Sequence, residues 1–247
     1  MAGYEGKCVV ITGGSSGFGL AAARLLTDEG ARVLITGRNQ AALDAARGQL
    51  GGNAIAVRSD AASLSDIDAL ADRVKAEFGT ADALFANAGV NGFAPFEATS
   101  GELFDRLLAI NAKGKYFTVQ KLAPLLAEGS GVVLTTSVAN VLGLPMLSVY
   151  AAAAAAVRSM TRSLARELLP RKIRVNAVSP GAIDSGILEK DMPKEAAEQM
   201  KAQFAADTPM LRTGTPAEVA RAMIFLAFDA TYTTGAELAV DGGGTQL

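Results

Sequence analysis

The sequence predicts an α/β protein with a single doubly wound parallel sheet, and three observations indicate this fold class. Short runs of β-branched residues recur along the chain, longer segments with an apolar residue at every third or fourth position separate them, and a glycine-rich turn follows the first run. Strands that alternate with amphipathic helices favour right-handed crossovers and a parallel sheet covered on both faces. For 247 residues, we expect one domain over 1–247.

Seven β-branched runs are the predicted strands, and the segments between them are the predicted helices. The helix after the third run is typical, because Ile67, Leu70 and Val74 fall on one face. The six alanines after Tyr150 also favour a helix, since alanine has the highest helix propensity. The predicted strands lie at 8–12, 32–36, 54–58, 83–87, 131–136, 173–178 and 237–241.

The composition argues against several kinds of chemistry. The 23 Lys and Arg residues nearly balance the 25 Asp and Glu residues, so we expect no basic surface for nucleic acid. Histidine is absent, which removes Ser-His-Asp and Cys-His catalysis and nearly every common zinc site, and no metal site is predicted. Cys8 lies in an apolar run and is expected to be a buried strand residue, and a single cysteine allows no disulfide within the chain.

The chain shows no pattern typical of export or membrane insertion. Its first residues enter the first predicted strand without a charged leader and an apolar signal core. The longest apolar stretch, 149–157, is too short for a transmembrane helix, which needs about 20 residues. We therefore expect a cytoplasmic protein that does not bind membranes.

The turn after the first predicted strand, T-G-G-S-S-G-F-G, is typical of a cradle for phosphate groups. Glycines in such a turn allow the backbone to approach a pyrophosphate closely, and the start of the following helix, near Phe18, favours its negative charge. Glycine-rich turns also serve as plain connections, so this motif alone leaves both interpretations open. The candidate phosphate-binding residues are Gly13, Ser15, Ser16, Gly17, Phe18 and Gly19.

Further motifs follow at the ends of later predicted strands. They are Asp60, N-A-G at 87–89, Ser137 with Tyr150, and S-P-G at 179–181. In this order, and with the ending V-D-G-G-G-T-Q-L, the whole chain resembles the short-chain dehydrogenase/reductase family. The resemblance implies a Rossmann-like fold, a nicotinamide dinucleotide cofactor and oxidoreductase activity.

The resemblance also implies roles for these motifs in holding the cofactor. Asp60 would accept a hydrogen bond from the adenine amino group, although it could also cap the helix that starts near Ser63. Asn87 would steady the central strand beside the cofactor. Ile183 and Ser185 would meet the nicotinamide carboxamide, with serine in place of the family's usual threonine. The same candidate site includes Gly89, Pro180 and Gly181.

The residues after the second predicted strand, T-G-R-N at 36–39, bear on the choice between NAD and NADP. NAD sites of this fold place a carboxylate near here for the ribose 2′-hydroxyl, and Gly37 supplies none. Arg38 instead places a guanidinium, which pairs well with phosphate, where a 2′-phosphate would lie. We therefore predict NADP(H) as the cofactor, bound in part by Arg38 and Asn39.

Catalysis in the family uses asparagine, serine, tyrosine and lysine, with the lysine four positions after the tyrosine. The resemblance assigns the first three roles to Asn111, Ser137 and Tyr150, whereas position 154 holds Ala154. A carbonyl that accepts a hydride develops negative charge on its oxygen, so it needs a hydrogen-bond donor and a source of a proton. Ser137 suits the first role and Tyr150 the second.

The missing lysine matters because free tyrosine has a pKa of about 10. An ammonium about 4 Å away would favour tyrosinate by about 4 kcal/mol at an effective dielectric constant of roughly 20, which corresponds to roughly three pKa units. Position 154 lies one helical turn from Tyr150, where a lysine could reach the phenol and the cofactor ribose, and alanine reaches neither. Arg158 lies about 12 Å along the helix axis from Tyr150 and is not expected to substitute.

Two origins of Ala154 stay open. The chain is either a natural variant that lost or relocated its acid–base chemistry, or it carries a deliberate lysine-to-alanine change that suppresses turnover. The family role of Asn111 is to hold a water that relays protons to the lysine. Asn111 is retained although the lysine at which this relay ends is missing, and this favours a recent single change.

The predicted partners are a small-molecule ketone or alcohol and other copies of the chain. The segments 90–96, 138–144 and 183–188, expected to line the substrate pocket, are mostly apolar and hold no lysine or arginine, which favours an uncharged ketone or secondary alcohol. Within the family, I-N-A-K-G-K-Y-F and R-V-N-A-V-S-P-G-A-I-D are similar to bacterial NADPH-dependent alcohol dehydrogenases that reduce bulky ketones. The resemblance also implies a homotetramer, with predicted helices at about 101–127 and 150–169 at its interfaces.

Three functions remain open at the level of sequence. The leading hypothesis is an NADP(H)-dependent alcohol dehydrogenase or ketone reductase that Ala154 impairs. A non-catalytic NADP(H)-binding protein is a second possibility, for which the missing lysine is natural. A third is a 3-oxoacyl-carrier-protein reductase, which needs a basic docking patch. The candidates for that patch are Lys113, Lys115, Arg158, Arg162 and Arg166.

Overall fold

The strands form one seven-stranded parallel sheet in the order β3-β2-β1-β4-β5-β6-β7. This computed structural model describes residues 3–186, 188 and 193–247. All seven predicted strands are present, but β5 begins at Leu126 rather than at 131. The strands are β1 Cys8–Ile11, β2 Arg32–Gly37, β3 Ala54–Arg58, β4 Ala81–Ala86, β5 Leu126–Thr135, β6 Arg174–Pro180 and β7 Glu237–Val240.

Helices connect the strands and cover both faces of the sheet, as the predicted fold class requires. The α-helices within the described residues are α1 Gly17–Asp28, α2 Gln40–Leu50, α3 Leu64–Phe78, α4 Gly101–Leu108, α5 Gly114–Leu122, α6 Ser148–Leu168, α7 Lys194–Asp207 and α8 Pro216–Ile224. In the part of the chain that the structure describes, no helix is both long enough and apolar enough to cross a membrane.

The single long helix predicted at 101–127 is wrong in detail. Helix α4 passes into a π-helical turn, Ala109–Lys113, which leads directly into α5. A short 3₁₀ turn containing Pro124 then ends the helical segment, and β5 follows at once. Proline lacks the amide hydrogen that a continuing helix needs, so it accounts for this early end.

Two apolar layers hold the helices against the sheet. Val9 and Ile11 of β1 face α1, α2 and α8, whereas Val10 between them faces α3, α5 and α6. These three side chains are buried, as expected for a parallel sheet covered on both sides. Cys8 is a strand residue as predicted, but it is only partly buried, and burial raises the pKa of its thiol.

The order of the strands reverses direction between β1 and β4. From β1 the chain continues outward through β2 and β3, and from β4 it continues in the opposite direction through β5, β6 and β7. In doubly wound sheets, ligands bind in the crevice beyond the carboxyl ends of the strands at such a reversal.

Candidate active site

A groove of about 970 Å³ lies beyond the carboxyl ends of the strands, at the point where their order reverses. This volume is at the upper end of the roughly 300–1,000 Å³ typical of ligand pockets. Gly19 lies outside the lining of the groove. The other residues predicted for the site all line it, namely Gly13, Ser15, Ser16, Gly17, Phe18, Arg38, Asn39, Asp60, Asn87, Gly89, Asn111, Ser137, Tyr150, Pro180, Gly181, Ile183 and Ser185.

The glycine turn between β1 and α1 forms a cradle that other residues could not build. Gly13 has a φ of 68°, and a Cβ there would lie 2.8 Å from Cα of Ala88. A Cβ on Gly19 would lie 2.4 Å from the carbonyl oxygen of Gly13, so Gly19 serves the packing of the turn itself. Gly17 has a φ of 55°. A Cβ there would lie no closer than 3.8 Å to another residue, namely to Cβ of Ser185, so there is room beside the start of α1.

The start of α1 fits a bound pyrophosphate. Its N-cap residue, Ser16, makes no side-chain capping hydrogen bond, and its side chain lines the groove. The first amide groups of a helix have no partner within the helix, and together with the helix dipole they favour an anion. An uncapped helix start beside a glycine cradle therefore suits the phosphates of a dinucleotide.

Thr12 and Asn87 tie the ends of β1, β4 and β5 together under the groove. The Thr12 hydroxyl accepts hydrogen bonds from the backbone amides of Asn87 at 3.0 Å and Ala88 at 3.1 Å. The Asn87 amide donates to the carbonyl oxygens of Thr12 and Gly13, each at 3.2 Å, and accepts from the Thr135 hydroxyl at 3.1 Å. These bonds fix the floor on which a cofactor would rest.

The groove wall beyond β2 carries positive charge. Arg38 is exposed, and its carbonyl oxygen accepts a hydrogen bond at 3.3 Å from Nε of Arg58, which ends β3 beside Gly37. Sequence reasoning missed Arg58, because its nearness to Arg38 depends on the pairing of β2 with β3. A Cβ on Gly37 would lie 2.9 Å from the Ser15 hydroxyl oxygen, so a larger residue at this position would be crowded.

Asp60 lies at the same end of the groove and does not cap α3. The N-cap of α3 is Ser63, whose hydroxyl accepts from the Asp66 amide at 3.2 Å. One Asp60 carboxylate oxygen accepts from the Ala62 amide at 2.9 Å, and the Asp60 amide donates to the Asp66 carboxylate at 2.8 Å. Asn39 plays two parts, because it lines the groove and also caps α2 by accepting from the Ala42 amide at 3.0 Å.

Asn111 lies in the π-helical turn between α4 and α5, and both of its side-chain polar atoms contact Val90. The side-chain amide donates to the Val90 carbonyl and its oxygen accepts from the Val90 amide, each at 2.9 Å. Single π-helical turns occur frequently at functional sites. Here the turn presents Asn111 to the loop after β4, which it fixes along one wall of the groove.

Ser137 and Tyr150 place two hydrogen-bonded hydroxyl groups side by side in the groove. Ser137 follows β5, and its oxygen accepts from the Ala139 amide at 3.3 Å. Burial raises the pKa of Tyr150 above its usual value, and a hydrogen bond with Ser137 partly offsets this rise. At neutral pH the phenol is therefore protonated, which suits a proton donor and not a proton acceptor.

Position 154 faces the groove, one turn of α6 beyond Tyr150. The Ala154 side chain is buried and lines the groove, and its carbonyl oxygen accepts from the Thr136 hydroxyl at 2.9 Å. Arg158 is turned toward β7, where it donates to the Gly235 carbonyl at 3.0 Å and pairs with Glu237 at 3.2 Å. It therefore does not replace a lysine at position 154.

Lys115 is the largest departure from the sequence predictions. It is named above as a candidate for an exposed docking patch, but it is only 5% exposed and lines the groove. Its ammonium donates to the Ala88 carbonyl at 2.8 Å, and burial lowers its pKa to about 7. Its burial depends on contact with the loop after β4, so no local sequence pattern could have found it.

The opposite end of the groove is apolar. Val90, Phe93 and Leu188 line it, as expected from two of the predicted substrate segments. Phe204 of α7 also contributes, which sequence reasoning missed because α7 is distant along the chain. The third predicted segment, 138–144, lies outside the lining, and its Val141 is exposed. Position 187 lies outside the described residues.

Known proteins resemble this chain along its length. The protein-family model described as enoyl-(acyl carrier protein) reductase matches residues 13–245. The oxidoreductase asL5 of Sarocladium schorii is 42% identical over 98% of this chain and 97% of its own length. The cis-4-hydroxycyclohexanecarboxylate dehydrogenase of Sinomonas cyclohexanicum is 38% identical, over 99% and 98%. A solved structure from Brucella melitensis, a short-chain dehydrogenase/reductase described as a glucose/ribitol dehydrogenase, matches with a TM-score of 0.93 at 32% identity, over 100% of both chains.

Proposed function

This chain belongs to the short-chain dehydrogenase/reductase family, and on that premise we propose that it transfers a hydride between NADP(H) and an uncharged ketone or secondary alcohol. The observation that carries the proposal is the placement of hydrogen-bonded Ser137 and Tyr150 in the same groove as the glycine cradle. A proton donor beside a dinucleotide site is the arrangement that carbonyl reduction needs.

The choice of NADP(H) rests on the charge at the end of β2. Arg38 and Arg58 lie together there, whereas Gly37 supplies no carboxylate for a ribose 2′-hydroxyl. A guanidinium binds phosphate with two parallel hydrogen bonds, and a second cation nearby strengthens the attraction. The cradle Gly13–Gly19 and the start of α1 would hold the pyrophosphate.

Ser137 and Tyr150 carry the proton chemistry in this proposal. When it is bound, the nicotinamide supplies the hydride for reduction or accepts it in oxidation. In reduction, Ser137 donates a hydrogen bond to the substrate oxygen, and Tyr150 gives that oxygen its proton. In oxidation, Tyr150 must first lose its proton, which its raised pKa opposes at neutral pH. Reduction is therefore the favoured direction, and turnover is slow without a lysine at position 154.

The substrate class follows from the wall opposite the cofactor cradle. Phe93, Leu188 and Phe204 give this wall an apolar surface. Burying an apolar substrate there gains about 25 cal/mol per Å² of surface removed from water. A charged substrate would lose its hydration without a partner of opposite charge.

Specific observations bear on two other functions. The first alternative is a 3-oxoacyl-carrier-protein reductase, and the matching family model is described as an enoyl-(acyl carrier protein) reductase, which shares the carrier protein but not the 3-oxo group. Lys115 and Arg158, two of the cations named for its docking patch, contact backbone and strand residues of this chain instead of forming an exposed patch. Ala154 favours the other alternative, a non-catalytic NADP(H)-binding protein.

Consumption of NADPH in the steady state separates these functions. The chain with Ala154, which is the reference called wild type for every variant below, is expected to reduce aryl ketones slowly and acetoacetyl thioesters not at all. The matched control is Tyr150→Phe, which removes only the phenol oxygen and is expected to abolish the reaction while NADPH binding persists. Preferential reduction of the thioester would favour the carrier-protein reductase. Bound NADPH without reduction of any ketone would favour the binding protein.

The proposal includes a homotetramer. Phe104 of α4 and Tyr116 of α5 are 45% and 38% exposed, so these helices carry apolar surface on their outer faces. Packing against other copies would remove that surface from water. Light scattering at micromolar concentration is expected to give the mass of four chains, and a monomeric mass would contradict this assembly. The cytoplasmic location stays a prediction.

A further inference from the structure

Lys115 is a buried cation without a carboxylate partner among the described residues. It is 5% exposed, and its ammonium makes one hydrogen bond, to the Ala88 carbonyl at 2.8 Å. An ammonium has three donors, so two of them are left for another partner. Burying a charge with so little compensation destabilises a protein. Lys115 is therefore a costly choice for a position that needs only apolar packing.

The ammonium lies at the wall of the cofactor groove. A Cβ on Gly89 would lie 3.6 Å from Nζ of Lys115 and 3.1 Å from the side-chain oxygen of Asn111. The smallest residue therefore stands beside Lys115 and Asn111, and all three line the groove. This arrangement leaves the ammonium accessible to a ligand in the groove.

Position 154, where the family places its lysine, lines the same groove and carries no charge. Arg158 is held at β7 by Glu237 and cannot supply one. Among the described cations, Arg38 and Lys115 line the groove, and Arg38 lies at the end of β2. Of these two, Lys115 is the one on the helical segment that carries Asn111.

We propose that Lys115 is a cofactor-contacting residue that takes over the binding role of the lysine missing from position 154, and that its ammonium donates hydrogen bonds to a ribose of the bound dinucleotide. This inference rests on the cofactor named in the proposed function. Lys115 takes over binding alone, because the pKa of Tyr150 stays raised by burial. Lys115 therefore does not supply the lowering of the Tyr150 pKa that a lysine at position 154 would give.

The charge state of Lys115 makes this contact sensitive to pH. The other titratable groups that line the groove are Arg38, Asp60 and Tyr150. Burial holds the pKa of Lys115 near 7 in the free protein, so the amine loses its charge as the pH rises above that value. An ammonium is the stronger donor and attracts an anionic cofactor, so NADPH affinity is expected to fall between about pH 7 and 9.

The decisive variant is Lys115→Met, which keeps the length of the side chain and removes the charge. NADPH binding, measured by fluorescence titration, is expected to weaken by about 10- to 100-fold and to lose its dependence on pH over this range. The melting temperature of the free protein is expected to rise, because an apolar side chain replaces a buried ammonium. Lys113→Met is the matched control, since Lys113 is exposed two residues earlier, and it is expected to change neither quantity.

Unchanged NADPH affinity in Lys115→Met, with an unchanged pH profile, would overturn the inference. Weaker binding together with a lower melting temperature would also overturn it, because that pair of results indicates a structural role. Neither measurement needs turnover. If NADPH binding depends on Lys115 but no ketone is reduced, the inference stands and the proposed function fails. Wild-type protein that binds neither NADPH nor NADH would overturn both.

Discussion

The two ends of the groove present different kinds of surface to the cofactor and substrate that we propose for it. At the phosphate end, backbone amides, glycines and the start of α1 form the surface, and Arg38 lies at its margin. At the catalytic end, side chains from α5, α6 and the loop after β5 form the surface, and burial sets the protonation of Tyr150 and Lys115. A backbone cradle allows few substitutions because its dihedral angles demand glycine. A side-chain site can obtain one functional group from several positions, which is why we propose that a lysine on α5 serves a groove whose position 154 on α6 holds alanine.

The largest expected effect of a single change concerns the catalytic end. Ala154→Lys places an ammonium one helical turn from Tyr150, where it would lower the pKa that burial now raises. We expect turnover to rise by about 10²- to 10⁴-fold, the usual contribution of a positioned proton-transfer system. Oxidation should gain more than reduction, because it needs the deprotonated phenol. Rates measured against pH in both directions should show the oxidative profile moving toward neutrality.

Ala155→Lys is the matched control for this experiment. Ala155 is exposed, next to Ala154 on the same helix, so a lysine there changes the charge of the protein without entering the groove. Its rates should match those of the wild type. If Ala154→Lys has the same negligible activity on every ketone while NADPH stays bound, the missing lysine is not the limiting defect. The binding-protein function would then be favoured.

A smaller effect is expected at the phosphate end. Arg38→Ala removes the guanidinium that we assign to the 2′-phosphate, and it should weaken NADPH binding by about 10- to 100-fold. NADH, which lacks this phosphate, should bind as it does to the wild type. Fluorescence titration with both cofactors measures the difference directly.

Arg47→Ala serves as the control, because Arg47 is an exposed residue near the end of α2 and lies outside the lining of the groove. It should alter neither affinity by more than the small change expected for one exposed charge. Equal affinities of the wild-type protein for NADPH and NADH would contradict the assignment of Arg38.

The sequence predicts most of the phosphate end and less of the catalytic end, and the reason is the range of the interactions. The cradle Gly13–Gly19 depends on local dihedral angles, which residue types in one turn reveal. Arg58 reaches Arg38 through strand pairing, and Phe204 reaches the groove from α7. The burial of Lys115 depends on contacts with the loop after β4. Such contacts join residues far apart in the chain, and no local pattern records them.

The helical segment from α4 to the start of β5 also has a backbone feature that the sequence does not reveal. The apolar periodicity of 101–127 indicates a helix, and this is correct for α4 and α5. The π-helical turn between them adds one residue per turn and so rotates the face that α5 presents. Asn111 lies within this turn and Lys115 follows it, and both line the groove. Sequence periodicity alone does not report such a shift in phase.

The pair of hydrogen bonds between Asn111 and Val90 imitates strand pairing beyond the last residue of β4. A side-chain amide that both donates to and accepts from one residue presents the same two groups as a peptide unit in a neighbouring strand. These two hydrogen bonds hold the loop after β4 in place along the groove. Accommodation of the ketones that we propose as substrates therefore falls to Leu188 and Phe204, whose side chains line the groove and can change rotamer without breaking these bonds.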